Sequence, residues 1–157
     1  MQSGQITVSE LLQKAVQREI ESQRLYVSFS ERVTLPDARY AFNILYQQER
    51  GHQVILEKYL NGGFARGALD IKSIVDYHIA EYLDQPEINA DMRLTDIFLL
   101  AANREKKANE FYISLAALHP NGEVRTLLEK LASEELGHKN KVEQMYTEVA
   151  FPQTDGG

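Results

Sequence analysis

The sequence predicts an all-α fold, a bundle of four helices in which one antiparallel hairpin is followed by a second of the same design. Apolar residues recur at helical spacing through four long segments, while strand patterns are nearly absent. A set of residues in the first half also recurs in the second half at a constant offset of 86 positions. With 157 residues, the chain is expected to form a single domain over residues 1–157.

The first predicted hairpin joins two helices through a short connection. One helix is expected over about residues 7–33, where Thr7 and Glu10 can form a capping box at its start. The next is expected over about residues 36–60, with Pro36 in its first turn, a position that suits proline. Because the connection is so short, the two helices should be antiparallel.

The second predicted hairpin contains helices over about residues 95–118 and 122–149. Between the hairpins lies a long crossover connection, residues 62–94, with a short helix expected near residues 73–83. A polar tail follows at 151–157. A long link between two hairpins is what a four-helix bundle with one crossover connection requires.

Composition excludes several classes of function. The formal net charge of −6 argues against a nucleic-acid partner and against binding to an anionic membrane surface. No stretch approaches 18 uninterrupted apolar residues, and residues 1–10 lack a basic region followed by an apolar run, so neither a membrane span nor a secretory signal is expected. The absence of cysteine removes disulfides, thiolate nucleophiles, iron–sulfur clusters and sulfur-ligated zinc, and fits a cytoplasmic location.

The repeated residues form a carboxylate and histidine pattern on the inward faces of the helices. Each copy reads Glu-x6-Tyr and then Glu-x2-His, with 30 residues between its two glutamates. At about 100° per residue, the tyrosine lies above the first glutamate and the second glutamate neighbours the histidine, within the apolar stripe of each helix. The two copies are Glu19, Tyr26, Glu49 and His52, and Glu105, Tyr112, Glu135 and His138.

Four inward glutamates with two histidines indicate a site for two divalent metals. Glutamate on an inward face is costly unless it is paired or binds metal, and two M²⁺ ions would cancel the four negative charges. In bundle di-iron sites, two helices each give a Glu and two each give Glu-x2-His. We therefore predict Glu49 and Glu135 as bridging ligands and Glu19 and Glu105 as terminal ones. His52 and His138 would each bind one metal, with iron or manganese favoured over structural zinc.

Other polar residues allow more than one interpretation. The alternative to a metal site is a polar core satisfied by hydrogen bonds. Tyr26 and Tyr112 are either core aromatics or hydroxyls that hold a terminal glutamate on the opposite helix. Arg18 and Arg104 are expected to be exposed to solvent. His78 and His119 are expected to be structural or surface residues. Three other glutamates are expected on solvated or boundary faces of the helices: Glu21, Glu110 and Glu134.

These motifs, together with the segments Glu105-Lys-Lys-Ala-Asn-Glu-Phe-Tyr112 and Leu131-Ala-Ser-Glu-Glu-Leu-Gly-His138, resemble the rubrerythrin-like branch of the ferritin-like superfamily over about residues 8–149. The resemblance implies a ferritin-like bundle with two iron ions per chain, in which manganese or a mixed metal pair is an alternative. It also implies oxidation of the iron pair by hydrogen peroxide or oxygen, and a homodimer.

Two departures from that family pattern limit what the resemblance implies. Rubrerythrins proper carry a rubredoxin domain with four cysteines, whereas this sequence has none, so a separate electron donor protein or Fe²⁺ itself is expected to supply electrons. Rubrerythrins also use an extra glutamate that lets one iron shift between a histidine and a carboxylate ligand. This glutamate is missing near Glu105, where the sequence has Lys107 and Ala108. Iron storage and hydroxylation of an organic substrate remain alternatives to a peroxidase or ferroxidase activity.

Overall fold

The computed structural model describes residues 7–62 and 93–151, which form four helices. These are α1 (Val8–Arg32), α2 (Pro36–Leu60), α3 (Leu94–Ala117) and α4 (Glu123–Ala150). No strand occurs within these residues, so the predicted all-α fold is confirmed, with helix limits that differ from the predicted ones by a residue at most. The short helix predicted near 73–83, His78, and residues 152–157 of the predicted tail lie outside the described residues.

Local chemistry explains where the helices begin and end. The Thr7 hydroxyl accepts a hydrogen bond from the Glu10 backbone N–H at 3.1 Å, and the Thr7 N–H donates to the Glu10 carboxylate at 3.0 Å, so the predicted capping box is present. Pro36 occupies the first turn of α2, and the helix ends before Gly62, whose φ of 78° suits glycine. At the start of α3, the backbone N–H of Arg93 donates to the Asp96 carboxylate at 3.1 Å.

Two apolar clusters hold the bundle together, one toward each end. The first combines the start of α1 and the end of α2 with the second half of α3 and the start of α4. The second combines the end of α1 and the start of α2 with the first half of α3 and the second half of α4. The buried charged residues lie in the layer between them, so two dry regions enclose one polar layer at mid-bundle.

Packing within each hairpin is much more extensive than packing between α2 and α4. A groove runs along the α2–α4 side of the bundle, over the polar layer. Across the described helices, none combines the length and apolar character that crossing a membrane requires.

Candidate metal centre

The polar layer brings together all six residues that the repeat predicts as metal ligands. They fall into two groups of four, and within each group the ligand atoms lie within 4.8 Å of one another. Glu49 and Glu135 belong to both groups, as predicted for bridging carboxylates. The first group is completed by Glu19 and His52, and the second by Glu105 and His138.

The two halves of the cluster are related by the internal repeat. His52 Nδ1 lies 2.7 Å from a Glu135 oxygen, and His138 Nδ1 lies 3.0 Å from a Glu49 oxygen, so each imidazole reaches the shared carboxylate of the opposite hairpin. His52 Nδ1 is also 3.8 Å from Glu19, and His138 Nδ1 is 3.5 Å from Glu105. The two imidazole rings stack with their centroids 5.8 Å apart. Both Nδ1 atoms therefore face the middle of the carboxylate cluster.

The hydrogen bonding of this cluster leaves its inner atoms unsatisfied. Within the described residues, and despite the close histidines, both oxygens of Glu49 and of Glu135 are buried without a contact of hydrogen-bond geometry, as are the second oxygens of Glu19 and Glu105. The Nδ1 atoms of both site histidines are unsatisfied in the same way. Buried polar atoms without partners are costly, and here they converge on a common centre. Carboxylate oxygens and imidazole nitrogens in this arrangement fit two divalent cations.

Tyrosine hydroxyls donate hydrogen bonds to the outer oxygens of the terminal glutamates. The Tyr112 hydroxyl on α3 donates to Glu19 on α1 at 2.6 Å, and the Tyr26 hydroxyl on α1 donates to Glu105 on α3. Both make the predicted contact with the opposite helix. Each terminal glutamate is thereby fixed at one oxygen, which leaves its other oxygen directed into the cluster.

Burial and mutual repulsion divide the carboxyl groups into two kinds. Burial raises the pKa of Glu49 and Glu135 well above the ordinary 4.5, and the charges of neighbouring glutamates raise it further. Burial also acts to raise the pKa of Glu19, but the adjacent Glu49 carboxyl group and His52 imidazole lower it to about 2. The pKa of Glu105 is lowered in the same way by the equivalent residues. Without a bound cation, the bridging candidates thus hold protons more strongly than the terminal glutamates do.

The outer nitrogen of His52 has a carboxylate partner that the repeat did not predict. His52 Nε2 lies 2.6 Å from Glu134, whose side chain is 41% exposed at the boundary of the bundle. Burial acts to lower the pKa of His52, but Glu19, Glu49 and Glu134 raise it to about 10. The residue that corresponds to Glu134 in the other half is Gln48, which is exposed and uncharged. The contact therefore breaks the symmetry of the two halves.

Two arginines that we expected at the surface are buried instead. Arg18 is 2% exposed and Arg104 is 7% exposed. Successive helical residues point about 100° apart, so these side chains leave the stripe that carries Glu19 and Glu105. That direction is nevertheless covered, because it faces the seam between α1 and α3, where the two arginines meet. The signal that could have revealed them is their own recurrence at the offset of 86.

The remaining predicted polar residues lie away from the cluster. His119 is buried, and its ring nitrogens bond to the Tyr59 hydroxyl and the Leu115 carbonyl, both at 2.9 Å, which gives it a structural role. Glu21 is exposed and Glu110 is partly exposed, in agreement with their predicted solvated or boundary positions.

The groove between α2 and α4 reaches the two site histidines. Its volume is about 940 Å³, and its lining includes apolar side chains of both helices together with His52 and His138. Gly51 and Gly137 also line it, and no atom lies within 4 Å of a Cβ placed on either. A small molecule could therefore approach the cluster from the histidine side. Four of the apolar lining residues are Ile44, Leu45, Ile55 and Met145.

Comparisons with known proteins agree with this architecture. The sequence model of the Rubrerythrin family matches residues 10–146. A hypothetical protein from Pyrococcus furiosus has a similar structure, with a TM-score of 0.74 and 23% identity over 95% of this chain and 94% of that one. A Thermotoga maritima protein, named as a candidate ferritin-like diiron-carboxylate protein, has a TM-score of 0.76 and 23% identity over 93% of this chain and 98% of its own. No match was found among curated proteins.

Proposed function

The chain belongs to the rubrerythrin family, and we propose that it is a di-iron redox protein whose paired Fe(II) site is oxidised by hydrogen peroxide or oxygen. The observation that carries this proposal is the pair of ligand groups that share Glu49 and Glu135. Two metals held side by side would share bridging carboxylates in this way, whereas a structural site for one metal would not.

The roles of the side chains follow from their contacts. Glu49 and Glu135 would bridge the two irons, while Glu19 with His52 and Glu105 with His138 would complete the two coordination sets. When bound, the iron pair would supply two electrons to the oxidant. The carboxyl groups of Glu49 and Glu135 would give up their protons as the metals bind, because only the ionised forms can bridge.

The outer contacts keep the ligands in place. Tyr26 and Tyr112 would hold the terminal glutamates through their outer oxygens. Glu134 would hold the ring of His52 through Nε2 and so keep Nδ1 directed inward. The apolar clusters cover the layer toward both ends of the bundle, and this low-polarity surrounding strengthens the electrostatic interactions inside it.

The test is anaerobic loading with Fe²⁺ followed by rapid mixing with hydrogen peroxide and, separately, with oxygen. We expect about two Fe²⁺ per chain and oxidation by at least one of the two oxidants. Faster oxidation by peroxide would identify a peroxide reductase, and oxidation as fast or faster by oxygen would identify a ferroxidase.

Glu21→Ala is the matched control, because Glu21 lies on α1 near Glu19 but is exposed. It should load and react like the original protein. Failure of the original protein to bind Fe²⁺, or bound Fe²⁺ that neither oxidant attacks, would contradict the proposal.

The groove supports a second candidate, oxidation of an organic substrate. A volume of about 940 Å³ is within the range of small-molecule sites, and the groove ends at both site histidines. An apolar molecule could lie along α2 and α4 with one part next to the metals. Iron storage has no comparable observation in its favour.

Gly51 allows this second candidate to be tested separately. Gly51→Leu should narrow the groove while keeping the helix, because a side chain there meets open space. A fluorescent apolar probe should bind the original protein and Gly51→Ala, and bind Gly51→Leu weakly. Incorporation of oxygen from labelled O₂ into an added apolar compound would support the hydroxylase. Absence of probe binding to the original protein would count against it.

Four expectations from the sequence stay predictions: the separate electron donor protein, the homodimer, the cytoplasmic location and the identity of the metal. Electron donation can be tested by reduction of the oxidised protein with a small iron–sulfur protein. Metal identity can be tested by competition between Fe²⁺ and Mn²⁺ for the site.

A further inference from the structure

The seam between α1 and α3 contains two buried guanidinium groups tied together through one hydroxyl. Arg104 donates to the Ser22 hydroxyl at 3.1 Å, and Arg18 donates to the same hydroxyl at 3.4 Å. Arg18 also donates to the backbone carbonyl of Arg104. Among residues 7–62 and 93–151, the Nε atoms of both arginines are buried and have no hydrogen-bond partner. Within the described residues, the hydrogen bonds of this pair therefore go to uncharged oxygens.

A buried guanidinium is costly without a nearby negative charge, and Arg18 is buried next in sequence to Glu19, a member of the carboxylate cluster. Burial acts to lower the pKa of Arg18, but the charges of Glu135, Glu19, Glu105 and Glu49 together raise it. Arg104 is placed differently, because burial and the charge of Arg18 lower its pKa. The pair thus carries two fixed positive charges beside the polar layer, and Arg18 directly precedes the candidate ligand Glu19 in α1.

The charge sum of the layer depends on this pair. Four ionised glutamates and two M²⁺ ions cancel, provided that both histidines are neutral, so the arginines leave two uncompensated positive charges beside the metals. Without metals, the same two positive charges lie beside the negative charges of the terminal glutamates, Glu19 and Glu105. The pair should therefore stabilise the metal-free fold and oppose the accumulation of positive charge when metals bind or lose electrons.

We propose that Arg18, tied to Arg104 through Ser22, is an electrostatic positioning residue of the metal centre: it holds the carboxylate cluster together before metal binding and keeps the bound pair from being held too tightly or oxidised too easily. This inference rests on the proposed di-metal function. Arg18 would act through the glutamates, and its effect on stability should be opposite in sign to its effect on metal affinity.

The test compares Arg18→Met, which removes the charge and keeps much of the length, with Arg18→Lys, which keeps the charge. Zn²⁺ alone is the binding probe, and urea unfolding in the presence of a chelator gives the stability of the metal-free protein. We expect Arg18→Met to unfold at lower urea yet bind Zn²⁺ roughly tenfold more tightly. Arg18→Lys should bind Zn²⁺ like the original protein. In the iron-loaded protein, Arg18→Met should lower the reduction potential by about 59 mV, which for one electron corresponds to a tenfold change in equilibrium constant.

Two further variants separate the charge from the packing. Ser22→Ala removes the shared hydroxyl but leaves both charges, and the equivalent position of the repeat is already Ala108. It should lower stability slightly and leave the affinity for Zn²⁺ unchanged. Arg104→Met should have a smaller effect on affinity than Arg18→Met, and it replaces that variant in the test if Arg18→Met does not fold.

The outcomes distinguish this inference from the proposed function. Loss of both stability and Zn²⁺ affinity in Arg18→Met, or equal behaviour of Arg18→Met and Arg18→Lys, would overturn the inference and leave the di-metal site standing. If the original protein binds neither Zn²⁺ nor Fe²⁺, the proposed function fails. The inference is then decided by whether metal-free Arg18→Met is less stable than Arg18→Lys.

Discussion

Replacement of single glutamates should separate bridging ligands from terminal ones. Glu49 and Glu135 each contribute to both ligand groups, whereas Glu19 and Glu105 each contribute to one. Glu19→Ala therefore leaves a complete group of four donors on the other side of the layer. Glu49→Ala reduces both groups from four donors to three.

The size of the expected change follows from this count. Loss of an outer partner of a metal ligand weakens binding by about 10- to 100-fold, and loss of the ligand itself should exceed about 100-fold. Anaerobic titration with Fe²⁺ should therefore give about two tightly bound ions per chain for the original protein and about one for Glu19→Ala or Glu105→Ala. Neither Glu49→Ala nor Glu135→Ala should retain a tight pair.

The assay needs proof that each variant is folded. Circular dichroism and urea unfolding with a chelator present provide it, and exposed Glu21→Ala is the control for loss of a surface carboxylate. Retention of both irons by Glu49→Ala would refute the bridging assignment. Loss of both irons in Glu19→Ala, with the helices intact, would refute the division into two groups.

Three other predictions concern the partners and protons of the ligands. Tyr112→Phe removes a 2.6 Å hydrogen bond to Glu19, so metal affinity should fall by about 10- to 100-fold in a Zn²⁺ titration, and an unchanged affinity would contradict the positioning role. Glu134→Gln should weaken the metal bound by His52 and spare the other, so a single binding step should split into two; two steps weakened equally would contradict the asymmetry. The third prediction is a dependence on pH. The folded-state pKa values of Glu49 and His52 are raised, the latter to about 10, so the stability they contribute is present at low pH and lost as pH rises. Urea unfolding with a chelator should therefore show stability falling as pH rises from 4.5 toward 10, while Zn²⁺ affinity, which requires loss of these protons, should increase over the same range; a metal-free stability that rises with pH would contradict this.

Much of the candidate site could be predicted because helical geometry is local. A residue's face on a helix depends only on its position along the chain, so the repeat placed Glu19, Glu49, Glu105 and Glu135 on inward faces before any helix was packed. The same reasoning placed each tyrosine above the glutamate of its own helix, and it left open whether the hydroxyl contacts the opposite helix. Family membership and the bundle itself were also predictable from these positions.

The features that were wrong or missing depend on how helices pack. Arg18 and Arg104 lie off the apolar stripe, and only the meeting of α1 and α3 covers them. The contact between Glu134 and His52 depends on the distance between α2 and α4, which no sequence spacing specifies. The groove over His52 and His138 is also lined by α2 and α4, so it too depends on how these two helices pack.

The sequence by itself determined the candidate ligand set, because two copies of Glu-x6-Tyr and Glu-x2-His on inward helical faces leave few other uses for four buried glutamates. Only the tertiary structure decided which carboxyl groups have raised pKa values and which fixed charges surround them. The physical reason is that electrostatic energies depend on distance and burial between helices, and these quantities exist only after the helices have packed.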